Sequence, residues 1–268
     1  MKNLLAANII KDNKRSREMK KVLQAQIHNS LDVGWEEKDI IVICNFDFEY
    51  MGVKSIKVDL NKTCLTGTKL FATKYVFENN MHEGQVVWSH DLDAWQNHWF
   101  QQPYIQDVGA TYYAKPKFNG GSIFWKDLAI DIISNAIDII LENEEAKEEP
   151  TLNELFKNEY KERVTVVNNT YNVGCSGYVS RYMRSELPIK VSHFHPFNRI
   201  AWETHRLNRD GVGLKSVDFR LEKILRQYYP GLPFLLSEEG RNAQSIKAEK
   251  NYNKIQAEEY LVLSEDVE

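Results

Sequence analysis

One segment constrains the fold more than any other, the unbroken apolar and β-branched run DIIVICNF at 39–46. A run without polar alternation is typical of a strand covered on both faces, as in parallel sheets. The segment NLLAANII at 3–10 has the same character, and 13–31 repeats apolar residues at helical spacing. A helix over 66–80 and a strand over 85–90 follow. This alternation predicts an α/β fold with a doubly wound, mostly parallel sheet.

The rest of the chain alternates less regularly. The segment after Asp93 is short, aromatic and irregular, and the loop KPKFNGG is flanked by two predicted strands. These two strands are predicted at 108–114 and 120–126. Two helices are predicted at 127–145 and 151–160, two short strands at 163–168 and 189–194, and a late helix at 216–229. From Ser237 the chain becomes polar and charged. We therefore expect one domain over 1–236 and a peripheral helix or tail over 237–268.

Charge and cysteine content exclude several classes of protein. The formal net charge of −4 gives no general attraction to nucleic acid or to an anionic membrane. Three scattered cysteines without CxxC spacing favour neither a disulfide framework nor a cysteine-rich zinc site. No apolar stretch is long enough for a membrane span. We expect a cytoplasmic protein.

Two carboxylates follow the apolar run QVVWSH, namely Asp91 and Asp93. Ligands of open α/β sheets bind beyond the carboxyl ends of the strands. Residues two apart in extended chain share one face, so both carboxylates can reach a single hard cation such as Mg²⁺ or Mn²⁺. The alternative for an Asp-x-Asp is an exposed turn or a helix cap. The bracketing residues Trp88 and Trp95 are interpreted as packing residues.

Three segments resemble the GT-A nucleotide-sugar glycosyltransferases, in the order that those enzymes show. VVWSHDLDAW resembles their strand followed by a DxD motif, and KFNGGSIFWK at 117–126 resembles the Asn-small-Gly strand of glycogenin-like and related retaining families. IKVSHFHPFN at 189–198 resembles the later strand that ends in His-aromatic, and 151–174 is similar to the intervening helix, strand and Tyr-Asn stretch. The resemblance covers roughly residues 1–200, and its specificity lies in the ordered set.

The resemblance implies a GT-A fold, with a Rossmann-like sheet between helices and a smaller acceptor-side subregion. Residues 1–100 would form the nucleotide-sugar-binding half and 101–236 the acceptor half. The enzyme would move a sugar from a UDP-sugar to an acceptor hydroxyl, with Mn²⁺ or Mg²⁺ neutralising the diphosphate. Asp91, Asp93 and His193 would hold the metal, and His195 is the alternative imidazole because it shares a strand face with His193.

Further donor contacts are implied position by position. Asn8, Asn45 and Asp47 would meet the uracil or ribose, Lys69 would meet phosphate at a helix N-terminus, Asn119, Gly120 and Gly121 would let the sugar approach the backbone, and Asp93 and Asn119 would be catalytic. The structural alternatives are loop capping, a solvated lysine and a tight Asn-Gly hairpin.

No catalytic acid is assigned from the sequence. Glu148, Glu149 and Glu154 are candidates for a catalytic or sugar-orienting acid. The related families carry an Asp-Gln pair near these positions and this chain does not, so the stereochemical outcome stays open. We interpret the acidic run ENEEAKEEP as a solvated link.

The expected acceptor is a saccharide or glycoconjugate. A basic segment with Arg199, Trp202, Arg206 and Arg209 keeps open a DNA-modifying enzyme acting on a hydroxymethylated base, which for a viral protein would place it in the host cytoplasm. A non-catalytic sugar- or nucleic-acid-binding protein is the third possibility. A nucleotidyltransferase would show a glycine-rich loop after the first strand, and AANIIKDNKRSRE contains no glycine. A metal-dependent hydrolase would show more clusters of His and Asp than the seven scattered histidines of this chain provide.

Overall fold

A computed structural model describes residues 1–11, 14–60, 67–114, 116–143, 145–174, 184–194 and 217–230. Within these ranges the helices are α1 (Lys14–Val33), α2 (Thr68–Glu78), α3 (Ile130–Glu142), α4 (Glu148–Lys157) and α5 (Phe219–Tyr228). The strands are β1 (Lys2–Ala7), β2 (Ile40–Cys44), β3 (Glu49–Tyr50), β4 (Val53–Lys57), β5 (Val87–His90), β6 (Ala94–Gln96), β7 (Val108–Ala114), β8 (Lys117–Trp125), β9 (Val164–Val166), β10 (Val173–Gly174) and β11 (Val191–His193).

Eight strands form a central sheet in the order β3-β4-β2-β1-β5-β8-β7-β9. The pairs β1–β2, β1–β5, β2–β4 and β7–β9 are parallel, whereas β3–β4, β5–β8 and β7–β8 are antiparallel. The predicted mostly parallel α/β sheet is confirmed. Because β1, β2 and β5 run in the same direction, their carboxyl ends meet at one edge, which is where Asp91 follows β5.

Helices cover both faces of the sheet, as predicted. On one face Leu4 and Val87 pack with residues of α2, α3 and α4, and on the other Leu5 and Trp88 pack with residues of α1. Neighbouring residues of one strand thus belong to different cores, which is why β1 and β2 read as unbroken apolar runs. Trp88 and Trp95 are fully buried, so their interpretation as packing residues is confirmed.

A second sheet carries the segment after the Asp-x-Asp, in the order β10-β11-β6. The expectation of an irregular chain after Asp93 is wrong at Ala94–Gln96, which forms β6. This short strand is antiparallel to β11, with Ala94 opposite His193. A distant partner stabilises β6, so local sequence gave little sign of it. This pairing places His193 opposite Ala94, the residue that follows Asp93.

Two other features differ from the predicted elements. The hairpin β3–β4 was not predicted; Met51 and Gly52 form its turn with φ of 49° and 82°. The segment FNGG lies inside β8 and not in a loop. Ala110 pairs with Ile123 and Thr111 with Asn119, so the β7–β8 register skips 120–122 in a bulge.

Within the described ranges, no helix is both long and apolar enough to cross a membrane. The predicted tail at 237–268 lies outside these ranges.

Candidate functional site

Three side chains with metal-ligating atoms converge beyond the carboxyl end of β5. Asp91, Asp93 and His193 each offer one ligand atom, and these atoms all lie within 4.8 Å of one another. His193 Nε2 lies 3.5 Å from Asp91 Oδ2 and 3.3 Å from Asp93 Oδ1. The Ala94 N–H donates to the Asp91 carbonyl at 2.9 Å, which folds 91–94 into a turn. Two carboxylates and one imidazole are a donor set that fits a divalent cation.

The imidazole of His193 is oriented by an asparagine. Its Nδ1 lies 3.1 Å from Asn172 Oδ1, while Asn172 Nδ2 donates to Asn119 Oδ1 at 2.7 Å. The contact at Nδ1 leaves Nε2 facing the two carboxylates. Metal-binding histidines are commonly held in place by such a partner at their other ring nitrogen. We assigned no role to Asn172 from the sequence, although it belongs to the Tyr-Asn stretch that carries the resemblance.

Charge at this cluster is balanced by the histidine itself. Burial lowers the pKa of His193, but the carboxylates of Asp93 and Asp91 outweigh burial and the pKa is raised above its ordinary value. In its protonated form the imidazole compensates two like charges that would otherwise repel each other. A divalent cation offers the same compensation, so the cluster is suited to exchange a proton for a metal.

A partly buried lysine adjoins the cluster. Lys69, in the first turn of α2, places Nζ 2.6 Å from Asp91 Oδ1 and 3.0 Å from Glu148 Oε1, and donates to the Gly120 carbonyl at 2.6 Å. Burial lowers the pKa of Lys69, but Asp91 and Glu148 outweigh it and the net shift is upward. Burial raises the pKa of Glu148 to about 7, against the opposing effect of Lys69. The Lys69 ammonium thus contacts the carboxylates of both Asp91 and Glu148.

The two adjacent glutamates correct our interpretation of the acidic run. Glu148 is 6% exposed and contacts Lys69, and Glu149 Oε2 accepts from the Gly120 N–H at 3.1 Å. Of the three glutamates at 148, 149 and 154, only Glu154 is exposed. The spacing of Glu148 to the buried Leu152 and Phe156 on the same helix face is the signal that could have identified it.

The glycines of β8 form one wall of the site. The bulge lets the Gly121 carbonyl accept from the Asp91 N–H at 2.9 Å, and Asn119 Oδ1 accepts from the Gly121 N–H at 2.7 Å. A Cβ on Gly121 would lie 2.2 Å from His193 Cε1, so a larger residue would displace the imidazole. A Cβ on Gly120 would meet Glu149 Cβ at an ordinary 3.6 Å. The requirement for glycine at 121 is steric.

The remaining predicted donor residues lie at the ends of β1 and β2. Asn8 is buried. The Asn45 amide accepts from the Ile9 N–H at 2.9 Å and donates to the Ile9 carbonyl at 2.8 Å, which ties the two strand ends together. Asp47 is exposed and pairs with Lys57 at 2.8 Å. Their contacts with a donor stay predictions.

Several predicted residues lie outside the described part of the chain, namely His195, Arg199, Trp202, Arg206 and Arg209.

Comparison with known proteins shows similarity in structure only. No family model and no curated protein sequence matches this chain. The glycosyltransferase GlyE of Streptococcus pneumoniae TIGR4 superposes with a TM-score of 0.53 at 16% identity, covering 85% of this chain and 62% of GlyE. The apo form of GlyE gives a TM-score of 0.51 at 15% identity, with the same coverage. This chain therefore spans less than two thirds of the GlyE chain.

A more distant neighbour is a glycosyltransferase involved in the glycosylation of the major capsid of PBCV-1. Its TM-score is 0.45 at 11% identity, covering 72% of this chain and 93% of that one. The GlyE superpositions cover most of this chain and therefore show what its fold is similar to. The chain has the fold of the GT-A glycosyltransferases.

Proposed function

We propose that the protein is a metal-dependent glycosyltransferase that moves a sugar from a UDP-sugar to the hydroxyl of a saccharide or glycoconjugate. One observation carries the proposal. Asp91, Asp93 and His193 bring their ligand atoms within 4.8 Å of one another, at the edge of a GT-A sheet where ligands bind.

The three residues would hold the metal in the proposed enzyme. A bound divalent cation would neutralise the charge that develops on the departing nucleoside diphosphate. The imidazole nitrogen of His193 favours Mn²⁺ over Mg²⁺, which takes oxygen ligands in most protein sites. Asn172 would fix the imidazole ring, and Gly121 would leave room for it.

Neighbouring side chains supply the other functions that a sugar transfer needs. Lys69 places a positive charge next to Asp91, where the ammonium can meet a phosphate or a sugar hydroxyl. Glu148 and Glu149 flank Gly120 and offer acceptors that would orient the donor sugar. Asn119 accepts from both Gly121 and Asn172, so we infer that it acts by positioning these residues.

Calorimetric titration with UDP tests the proposal. We expect binding in the presence of Mn²⁺ and at least about tenfold weaker binding after chelation, since a cation held by Asp91, Asp93 and His193 would neutralise the diphosphate. ADP and GDP serve as controls for base recognition. Donor hydrolysis is then measured with a panel of UDP-sugars. UDP binding of equal strength with and without Mn²⁺, or no UDP binding at all, would contradict the proposal.

A further inference from the structure

A buried glutamine of α1 holds the main chain on both sides of Asp93. Gln26 is 1% exposed, and its Nε2 donates to the Leu92 carbonyl at 2.9 Å and to the Ala94 carbonyl at 3.0 Å. We propose that Gln26 is a positioning residue for the metal centre, fixing the 91–94 turn so that its carboxylates face His193. This inference rests on the proposed function, because it assigns Gln26 a role toward the same metal.

All four main-chain carbonyls of 91–94 accept a hydrogen bond, and two of these bonds come from Gln26. The Asp91 carbonyl accepts from the Ala94 N–H at 2.9 Å, and the Asp93 carbonyl accepts from the Phe194 N–H at 2.8 Å. The carbonyls of Leu92 and Ala94 receive their hydrogen bonds from Gln26. A buried carbonyl without a donor is costly, so removal of the amide would favour rotation of the peptides that flank Asp93. Such a rotation carries the Asp93 side chain with it.

The same turn of α1 is also tied to β1. The Gln26 carbonyl accepts from Ser30 Oγ at 2.8 Å, and Ser30 Oγ accepts from Asn3 Nδ2 at 2.9 Å. Asn3 belongs to β1, the strand that pairs with β5. These bonds limit how far this turn of the helix, and with it the Gln26 amide, can move away from the two carbonyls.

A positioning role and a purely structural role predict different results. The Gln26 amide donates to two main-chain carbonyls, whereas the ligating atoms belong to the side chains of Asp91, Asp93 and His193. If the residue only filled space, an apolar side chain of similar size would change stability and leave the affinity for metal intact. If it positions the turn, the same replacement weakens metal binding in a protein that still folds.

The test is the variant Gln26→Met, which keeps the length of the side chain and removes both donors. Mn²⁺ affinity is measured by electron paramagnetic resonance of the free ion, with excess UDP present. We expect binding at least roughly tenfold weaker than in the wild type, with cooperative unfolding retained. The control is Val22→Ala, one turn earlier on the buried side of α1, which removes packing and no hydrogen bond. It should lower the melting temperature and leave Mn²⁺ affinity unchanged.

Each outcome separates this inference from the proposed function. A wild-type protein that fails to bind Mn²⁺ with UDP overturns both. A wild type that binds, with Gln26→Met within about twofold of it, overturns only the role of Gln26. Equal losses in Gln26→Met and Val22→Ala also overturn it, because general destabilisation then explains both. If Gln26→Met does not fold, Gln26→Asn retains the amide one methylene short of its carbonyls, and wild-type affinity in that variant contradicts the inference.

Discussion

Replacement of Asp93 by asparagine is expected to abolish sugar transfer and donor hydrolysis while the fold survives. The variant keeps the shape of the side chain and removes a negative charge that lies 3.3 Å from His193 Nε2. Metal coordination contributes several kcal/mol to the stabilisation of the developing charge, so turnover should fall by at least about 100-fold. Turnover of UDP-sugar is measured with Mn²⁺ present, and circular dichroism shows whether the protein is folded.

The matched control for Asp93→Asn is the same exchange at Asp138, an exposed residue of α3. It also removes one negative charge, but the residue belongs to the face of α3 that points to solvent. We expect turnover close to that of the wild type. Normal turnover in Asp93→Asn would remove this carboxylate from the metal centre, and an equal loss in Asp138→Asn would show that the effect is not local.

Replacement of Lys69 by methionine is expected to cause the largest combined loss of stability and activity. The ammonium is shared between Asp91 and Glu148, and the Glu148 side chain is only 8% exposed. Removal of one partner of a buried ion pair costs up to about 3–5 kcal/mol. Without Lys69 the pKa of Glu148 rises further, so the carboxyl takes up a proton at neutral pH and the loss stays below that limit. Chemical denaturation measures this loss, and a donor-hydrolysis assay measures the loss of the positive charge beside the site.

A double variant tests the effect of Lys69 on stability. In Lys69→Met/Glu148→Gln the buried carboxylate is also neutral, so stability should partly return. Turnover should stay low, because the ammonium and the carboxylate proposed to orient the sugar are both missing. The control Lys74→Met, on the same helix, breaks the partly exposed pair with Glu78 and should cost about 0.5 kcal/mol or less. Recovery of turnover in the double variant would show that Lys69 acts on stability alone.

Local sequence predicted the centre of the site because the relevant residues follow a strand directly. The apolar run before Asp91 predicts β5, and the alternation of strands and helices predicts the edge at which β5 ends. His193 could not be found this way, since its position depends on the pairing of β11 with β6. The resemblance to a known order of motifs supplied it. Only that long-range pairing brings its imidazole to the carboxylates.

Composition led to a wrong interpretation of Glu148, a buried residue within a charged segment. The run ENEEAKEEP is strongly acidic, and most of its described residues are exposed, as a solvated link would be. Glu148 differs because α4 begins there and its apolar face packs on the sheet, which draws the carboxylate toward Lys69. Similarly, Gln26 is an ordinary polar residue in the helical pattern of α1. Its role depends on carbonyls that only the tertiary structure brings to it.

In the proposed enzyme, Asp91, Asp93 and His193 would hold a divalent metal together with the diphosphate of the donor. Crystals grown with Mn²⁺ and UDP, measured at the manganese absorption edge, provide the decisive measurement. We expect an anomalous difference peak in contact with Asp91, Asp93 and His193 and with the diphosphate of UDP. A bound UDP without a manganese peak at these three residues would contradict it.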